Sequence, residues 1–194
     1  DTITVGDGDN YIEGGADDDV ITAGSGANEI YGDAGDDTIT VGAGSMITGG
    51  EGIDSINLGS GVTEDDFDAI IYNAVTESQG VTVDVITGFQ VDVQSTDDIT
   101  GDDVVDEDDL VNDLLDLSAV VIGAATYAGE ANGYGAVLTT LAGDATNSQA
   151  VLDISTSTLY VDVDASGTLD DADMAIDLTG VTSLSDANFL FAAI

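Results

Sequence analysis

The stretch GGEGIDSIN, Gly49 to Asn57, holds three glycines, then an aspartate, then one apolar residue between two polar ones. The unit recurs along the first third of the chain. Isolated isoleucines stand at Ile3, Ile12, Ile21, Ile30, Ile39, Ile47 and Ile56, in steps of 9, 9, 9, 9, 8 and 9. A glycine-rich turn precedes each after Ile3, as in GGADDDVIT, AGSGANEIY, GDAGDDTIT and VGAGSMITG. A fixed period with one apolar residue per unit is the signature of a solenoid. A triplet such as Ser55-Ile56-Asn57 makes a very short strand, its middle side chain facing one way and its neighbours the other. Glycine supplies the positive φ that lets so short a connection reverse direction. Each nonapeptide is therefore half a coil of a parallel roll, and stacked half-coils form two sheets whose isoleucines meet in a thin core.

Composition states a conflict. Among 194 residues there are 40 Asp plus Glu and no Lys, Arg or His, a formal charge of −40, yet 43% of the residues are hydrophobic. That apolar fraction suffices for a core, while self-repulsion at this charge opposes compaction. No side chain can form an internal salt bridge, so the counter-charge comes from outside. Hard divalent cations fit, because carboxylate and carbonyl oxygens are their preferred ligands. Diffuse screening by salt is the plainer alternative. Without Cys or His there is no disulfide framework, zinc site, haem ligand, thiol nucleophile or Ser-His-Asp triad. Without Lys or Arg, nucleic acid and anionic membranes are repelled, so neither is an expected partner. No apolar run approaches the length that spans a bilayer.

GGEGIDSIN matches every position of GGxGxDxUx, and the chain resembles the repeats-in-toxin (RTX) family, whose nonapeptide binds calcium. Asp17 departs from the pattern, standing where the third glycine is usual. Asp1 occupies the aspartate position before Ile3, so further repeats are expected upstream. At the aspartate position the turns carry Asp1, Asn10, Asp19, Asn28, Asp37, Ser45 (in the shortened turn) and Asp54. Successive turns lie on opposite edges of a roll. One edge therefore carries Asp1, Asp19, Asp37 and Asp54, and the other Asn10, Asn28 and Ser45. Calcium between stacked turns needs carboxylates plus turn carbonyls to reach about 6–8 oxygens. The aspartate edge can supply them; the edge with Asn10 and Asn28 is expected to hold weaker ions or none, with Asp9 and Asp36 as partial substitutes. Asx-turns without metal are the alternative reading of these residues.

The nine-residue period fails after Gly59-Ser60-Gly61, dividing the chain into a roll over 1–61 and a β-rich flanking region over 62–194. Expected strands there are AIIYN (69–73), VTVDVITGF (81–89), TYAGE, GAVLTTLAG, AVLDIS and STLYVDV. The run from Asp65 also fits a short helix, with strand favoured for its second half. One helix is expected in DEDDLVNDLLDLSAV, where Leu110, Val111, Leu114, Leu115 and Leu117 share a face and Asp106 to Asp109 crowd the start. The acidic run Asp97 to Asp109 reads as a solvated surface or linker. DVDASGTLDDAD, Asp162 to Asp173, fits the EF-hand loop pattern. Asp162, Asp164 and Ser166 would supply side-chain oxygens, Thr168 a carbonyl, Asp170 a water-mediated contact and Asp173 the last carboxylate. An acidic hairpin loop without an ion is the alternative.

The segments DVITGF, DLLDLSAV, STLYVDVDASGTLDDADMAIDLTGVTSL and SDANFLFAAI also resemble the flank downstream of RTX repeats; the long acidic stretch between the first two departs from it. The resemblance implies an extracellular or cell-surface protein exported by a type I exporter, through a C-terminal signal carried here roughly from Thr182. The expected fold is all-β, a parallel β-roll followed by a β-rich region with one short helix. The expected function is a secreted calcium-binding structural protein of a surface layer, filament or matrix, whose partners are calcium ions and further copies of a surface protein. The alternative is an export and folding module of a larger secreted enzyme or adhesin. No carboxylate pair stands apart from calcium or turn duty, so the chain itself reads as no enzyme.

Overall fold

The computed structural model describes residues 1–60, 67–79, 83–91, 93–94, 110–111, 113–121, 125–141, 147–170, 172–185 and 188–190. The acidic run from Asp97 to Asp109 and the last residues of the expected export signal lie outside them. The first seven strands are β1 (Thr2–Thr4), β2 (Tyr11–Ala16), β3 (Val20–Thr22), β4 (Glu29–Ala34), β5 (Thr38–Thr40), β6 (Met46–Glu51) and β7 (Ser55–Asn57). Odd strands lie in one sheet and even strands in the other, every neighbour parallel. This is the roll that the period predicts. Position 2 of the motif carries the positive φ where it is needed, at Gly15 (109°) and Gly50 (110°), and Asp33 takes it at 74°. Asp17, the departure from the motif, also adopts it, at 71°.

The isoleucines stack in register. One ladder runs Ile3, Ile21, Ile39, Ile56, and the other Ile12, Ile30, Ile47. Ile21, Ile39 and Ile47 are fully buried, and both ladders belong to one apolar cluster. Each buried isoleucine contributes about 1.5–3 kcal/mol relative to exposure. Replacing Ile39 by Ala is expected to cost about 2–5 kcal/mol in calcium, because rigid neighbours on both sides leave the cavity open. Denaturant unfolding of the calcium-loaded variant measures it.

The fixed period ends where the sequence shows it ending, but both sheets continue. β8 (Ala69–Ile71) pairs with β6, and β9 (Asp84–Thr87) with β7. Ile70 then extends the Ile47 ladder and Ile86 the Ile56 ladder. β10 (Val93–Gln94) and β11 (Leu110–Val111) form a separate antiparallel pair. β12 (Leu114–Asp116) sets Leu115 beside Ile70, and β17 (Phe189–Leu190) sets Phe189 beside Leu115. β13 (Thr126–Ala131), β14 (Gln149–Asp153), β15 (Thr158–Asp162) and β16 (Met174–Thr179) complete the other sheet, with β16 joining β9 in parallel.

The fold class is as expected, with one short helix among the described residues, but its position is corrected. It is α1, Tyr134–Leu141, in a stretch that reads as a strand. Val137 and Leu141, four apart, both bury against Val151 and Ala131. The segment expected to be helical instead supplies β12: Leu115 and Leu117 alternate inward while Leu114 and Asp116 stay half-buried. Leucines at 114, 115 and 117 fit either period, and pairing with Ile70 decides for the strand.

Candidate metal centres

On one edge of the roll the turns stack Asp19, Asp37 and Asp54 beneath the exposed Asp1. The amide of Asp19 donates to Asp37 Oδ1 (2.8 Å), that of Asp37 to Asp54 Oδ1 (2.9 Å), and that of Asp54 to Asp84 Oδ1 (2.9 Å). Each carboxylate thus spends one oxygen on the coil before it. The second oxygens, Oδ2 of Asp19, Asp37, Asp54 and Asp84, are buried and lack a hydrogen-bond partner. Asp19 Oδ1 lies 2.5 Å from the amino group of Asp1. Buried ionised oxygens without partners cost several kcal/mol each unless a cation meets them.

The proton affinities follow. Burial raises the Asp37 carboxyl, the hydrogen bond from the Asp19 amide lowers it, and the carboxylates of Asp19, Asp18 and Asp33 raise it further. Burial pushes Asp54 up to about 7 and Asp84 to about 8, with Asp37 and Asp54 respectively adding repulsion. Asp153 shows the opposite case. Burial raises it too, but hydrogen bonds from the Ser155 hydroxyl and the Gly133 and Ser155 amides outweigh that, and its carboxyl sits below the usual range.

Glycine at position 1 stands beside the orphaned oxygens of Asp19, Asp37 and Asp54. A Cβ on Gly14 would stand 2.7 Å from Asp19 Oδ2 and 2.7 Å from the Gly32 carbonyl oxygen. A Cβ on Gly32 would meet Asp37 Oδ2 and the Gly49 carbonyl, and one on Gly49 would meet Asp54 Oδ2. At Gly14 and Gly32 a carboxylate and a carbonyl oxygen converge on one cradle, the donor set that calcium takes. Gly32→Ala fills a cradle and is expected to weaken calcium binding about tenfold or more, some 1.4 kcal/mol per tenfold. Calorimetric titration reads it.

On the opposite edge, amide side chains bridge the stacked turns. Asn28 Nδ2 donates to the carbonyls of Gly24 (2.9 Å) and Gly26 (3.1 Å) and to Ser45 Oγ (3.2 Å). Asn10 Nδ2 does the same to Gly6 (3.2 Å), Gly8 (2.8 Å) and Asn28 Oδ1 (2.8 Å). Position 1 here is Val5, Ala23, Val41 and Leu58, whose side chains join the core. Asp9 and Asp36 cap outer amides, those of Ala27 (3.1 Å) and Ile53 (2.9 Å).

Three ladder residues escaped the sequence reading. The amide of Ser45 donates to Asp68 Oδ1 (2.8 Å), that of Asp68 to Asp113 Oδ1 (2.8 Å), and Asp84 extends the aspartate edge. Each begins a triplet of aspartate, any residue, aliphatic, at Asp68-Ala69-Ile70, Asp84-Val85-Ile86 and Asp113-Leu114-Leu115, but no fixed spacing links these triplets to the repeat. Both oxygens of Asp113 accept amides, Oδ1 that of Asp68 and Oδ2 that of Gln90 at 2.7 Å, although burial raises its carboxyl to about 6.

The second candidate centre lies between β15 and β16. Carboxylate oxygens of Asp162, Asp164 and Asp173 lie within 4.8 Å of one another. Asp162 accepts the amides of Ser166 (3.0 Å) and Gly167 (2.7 Å), and Asp173 those of Val163 (2.8 Å) and Asp170 (2.8 Å). Gly167 makes the bend at φ 73°. Burial raises both the Asp162 and Asp173 carboxyls. Ser166 Oγ donates to the Thr168 carbonyl (3.0 Å), while Asp170 turns away to cap the Ala172 amide (2.9 Å). Three acids without a cationic side chain form a donor set fit for a hard cation, and the backbone bonds orient them for it.

Residues 1–30 and 16–45 match the family model of the RTX calcium-binding nonapeptide repeat, in four copies. The coils within residues 1–45 are RTX repeats. RTX nonapeptides bind calcium, and the cradles beside Gly14 and Gly32 lie in the matched coils. No curated protein matches the chain. Among solved structures, the AlgE6R3 subunit of the Azotobacter vinelandii mannuronan C5-epimerase is 22% identical, covering 96% of this chain and 80% of its own, with a TM-score of 0.38. The AlgE6R2 subunit of the same epimerase is 23% identical, covering 100% and 94%, with a TM-score of 0.37.

Proposed function

We propose that the chain is a secreted calcium-binding structural protein, a component of a surface layer, filament or extracellular matrix that folds and assembles on calcium outside the cell. One observation carries the reading: stacked buried aspartates each keep an oxygen without a protein partner, in a chain that has no cationic side chain. Asp19, Asp37 and Asp54, with the glycine carbonyls of their turns, hold the ions of the roll over residues 1–61. Asp1 contributes at its exposed end. Asn10 and Asn28 offer only amide oxygens and bind weakly or not at all. Asp162, Asp164 and Asp173, with Ser166, Thr168 and Asp170 around them, form a separate site in the flanking region, 62–194. Calcium supplies the positive charge that no side chain here provides. In a calcium-poor cytosol the carboxylates repel and the thin isoleucine core cannot offset chain entropy. At the ~10⁻⁴–10⁻³ M affinity of extracellular modules, the roll folds by mass action after passage through a type I exporter.

Contact between copies is supported by an apolar groove on the outer face of the second sheet, about 500 Å³, lined by Met46, Phe67, Ile71, Leu114 and Leu190. Met46, Phe67 and Leu190 are each about half exposed. Among the described residues no helix is long and apolar enough to cross a membrane. The test is a calcium titration followed by circular dichroism and light scattering on one sample. β signal and scattering are expected to rise together. Fully folded protein that stays monomeric at high concentration would leave calcium binding standing and remove the assembly role.

A further inference from the structure

We infer that the aspartate ladder carries one more cation site beyond the last nonapeptide, formed by Asp54 and Asp84 beneath the hydroxyl of Tyr72 and suited to a hard divalent cation such as calcium. The inference rests on the calcium reading of the ladder and extends it to residues outside any repeat. Asp84 follows Asp54 by 30 residues, where the preceding steps are 18 and 17, yet the contact is the same: a 2.9 Å bond from the Asp54 amide to Asp84 Oδ1. Register explains it, since β9 pairs with β7 and Ile86 stacks on Ile56. A long insertion changes the spacing along the chain and leaves the stacking intact.

The step differs from those before it in having a lid. Tyr72 leaves the end of β8 in the opposite sheet and buries its ring, only 3% exposed, with its hydroxyl facing the Asp84 carboxylate. That hydroxyl, Asp54 Oδ2 and Asp84 Oδ2 are all buried; the hydroxyl lies within reach of the Asp84 carboxylate, and Asp54 Oδ2 has no hydrogen-bond partner. Glu77 adds a third acid nearby, one of whose oxygens accepts the Asn73 amide (2.9 Å). A phenol donates one proton, so it can satisfy one carboxylate oxygen and leaves the other bare. Two buried carboxylate oxygens on successive rungs, with a phenol hydroxyl beside them, make a donor set suited to a hard cation. Ser78 fixes Asp84 from behind: its Oγ accepts the Asp84 amide (3.0 Å) and donates to the Ala175 carbonyl on β16 (2.5 Å). The site would therefore tie the roll to the strands that continue its sheet.

The test compares full-length wild type with Asp84→Asn, Tyr72→Phe and Asp37→Asn, using equilibrium dialysis for bound calcium and tyrosine-sensitised terbium luminescence. The chain has no Trp, so emission reports terbium close to a tyrosine. Asp84→Asn is expected to bind one calcium fewer than wild type. Tyr72→Phe is expected to lose a distinct, calcium-displaceable part of the terbium emission while its calcium-loaded β signal persists. If Asp84→Asn binds the wild-type number of ions while Asp37→Asn binds fewer, the ladder stands and the extra site does not. If neither variant loses an ion, the ladder reading falls as well. Should Asp84→Asn fail to fold in calcium, Tyr72→Phe decides alone: unchanged terbium emission overturns the site.

Discussion

Stripped of calcium at pH 8 and low ionic strength, the chain is expected to lose most of its β signal, and to regain a substantial part of it when the metal-free sample is taken to pH 5. The sign follows from the raised carboxyls. Asp54 at about 7, Asp84 at about 8 and Asp113 at about 6 all bind protons more tightly folded than at the ordinary value of 3.8. A group whose folded-state pKa is raised gives stability that is present at low pH and lost as the pH climbs through that value. Each pH unit so traversed is worth about 1.4 kcal/mol per group. From pH 5 to 8 the three groups together traverse several, a quantity comparable with the 5–15 kcal/mol stability of a typical domain. Calcium reverses the dependence, because ions compete with protons for the same oxygens. Metal-free circular dichroism that is the same at pH 5 and pH 8 would show that these carboxylates do not control folding.

The second large effect is a change of opposite sign in two conditions. Asp37→Asn keeps the oxygen that accepts the Asp19 amide and replaces the orphaned Oδ2 by an NH₂ group. On the other edge Asn28 uses that group to hold the carbonyls four and two residues before it. In chelator the variant is therefore expected to be more stable than wild type, by on the order of 1–3 kcal/mol, since a buried charge becomes a bonded amide. In calcium it is expected to be less stable, with a folding midpoint shifted upward about tenfold or more, because the steps on either side of Asp37 lose a ligand. Chemical denaturation in chelator and in excess calcium measures both. Destabilisation of equal size in the two conditions would mean that Asp37 serves the backbone alone.

Residue by residue, legibility follows spacing. Ile3 to Ile56 could be read because each coil has the same length, so register along the chain equals register in space. Ile70, Ile86 and Leu115 continue the same ladders and could not be read, because insertions of unequal length separate them. The carboxylates follow the same rule: Asp19, Asp37 and Asp54 stand at the motif position, and Asp84 stands there only after folding. Position 1 held a further signal, glycine at 14, 32 and 49 against Val5, Ala23, Val41 and Leu58. Its meaning required knowing that a side chain there fills the cradle. Tyr72 carries no local signal at all, since its partner comes from the other sheet. α1 and β12 exchanged their expected states for a related reason. Val137 with Leu141, and Leu114 with Leu115 and Leu117, are short apolar patterns compatible with both periods, and tertiary partners decided each.

The central claim is that metal completes the oxygens left bare beside Gly14, Gly32 and Gly49. Crystals grown in calcium and measured at a wavelength where calcium scatters anomalously address it without any variant. The account predicts anomalous peaks beside Oδ2 of Asp19, Asp37 and Asp54, and none at the equivalent places beside Asn10 and Asn28. Ordered water without anomalous signal at all three aspartates would contradict it.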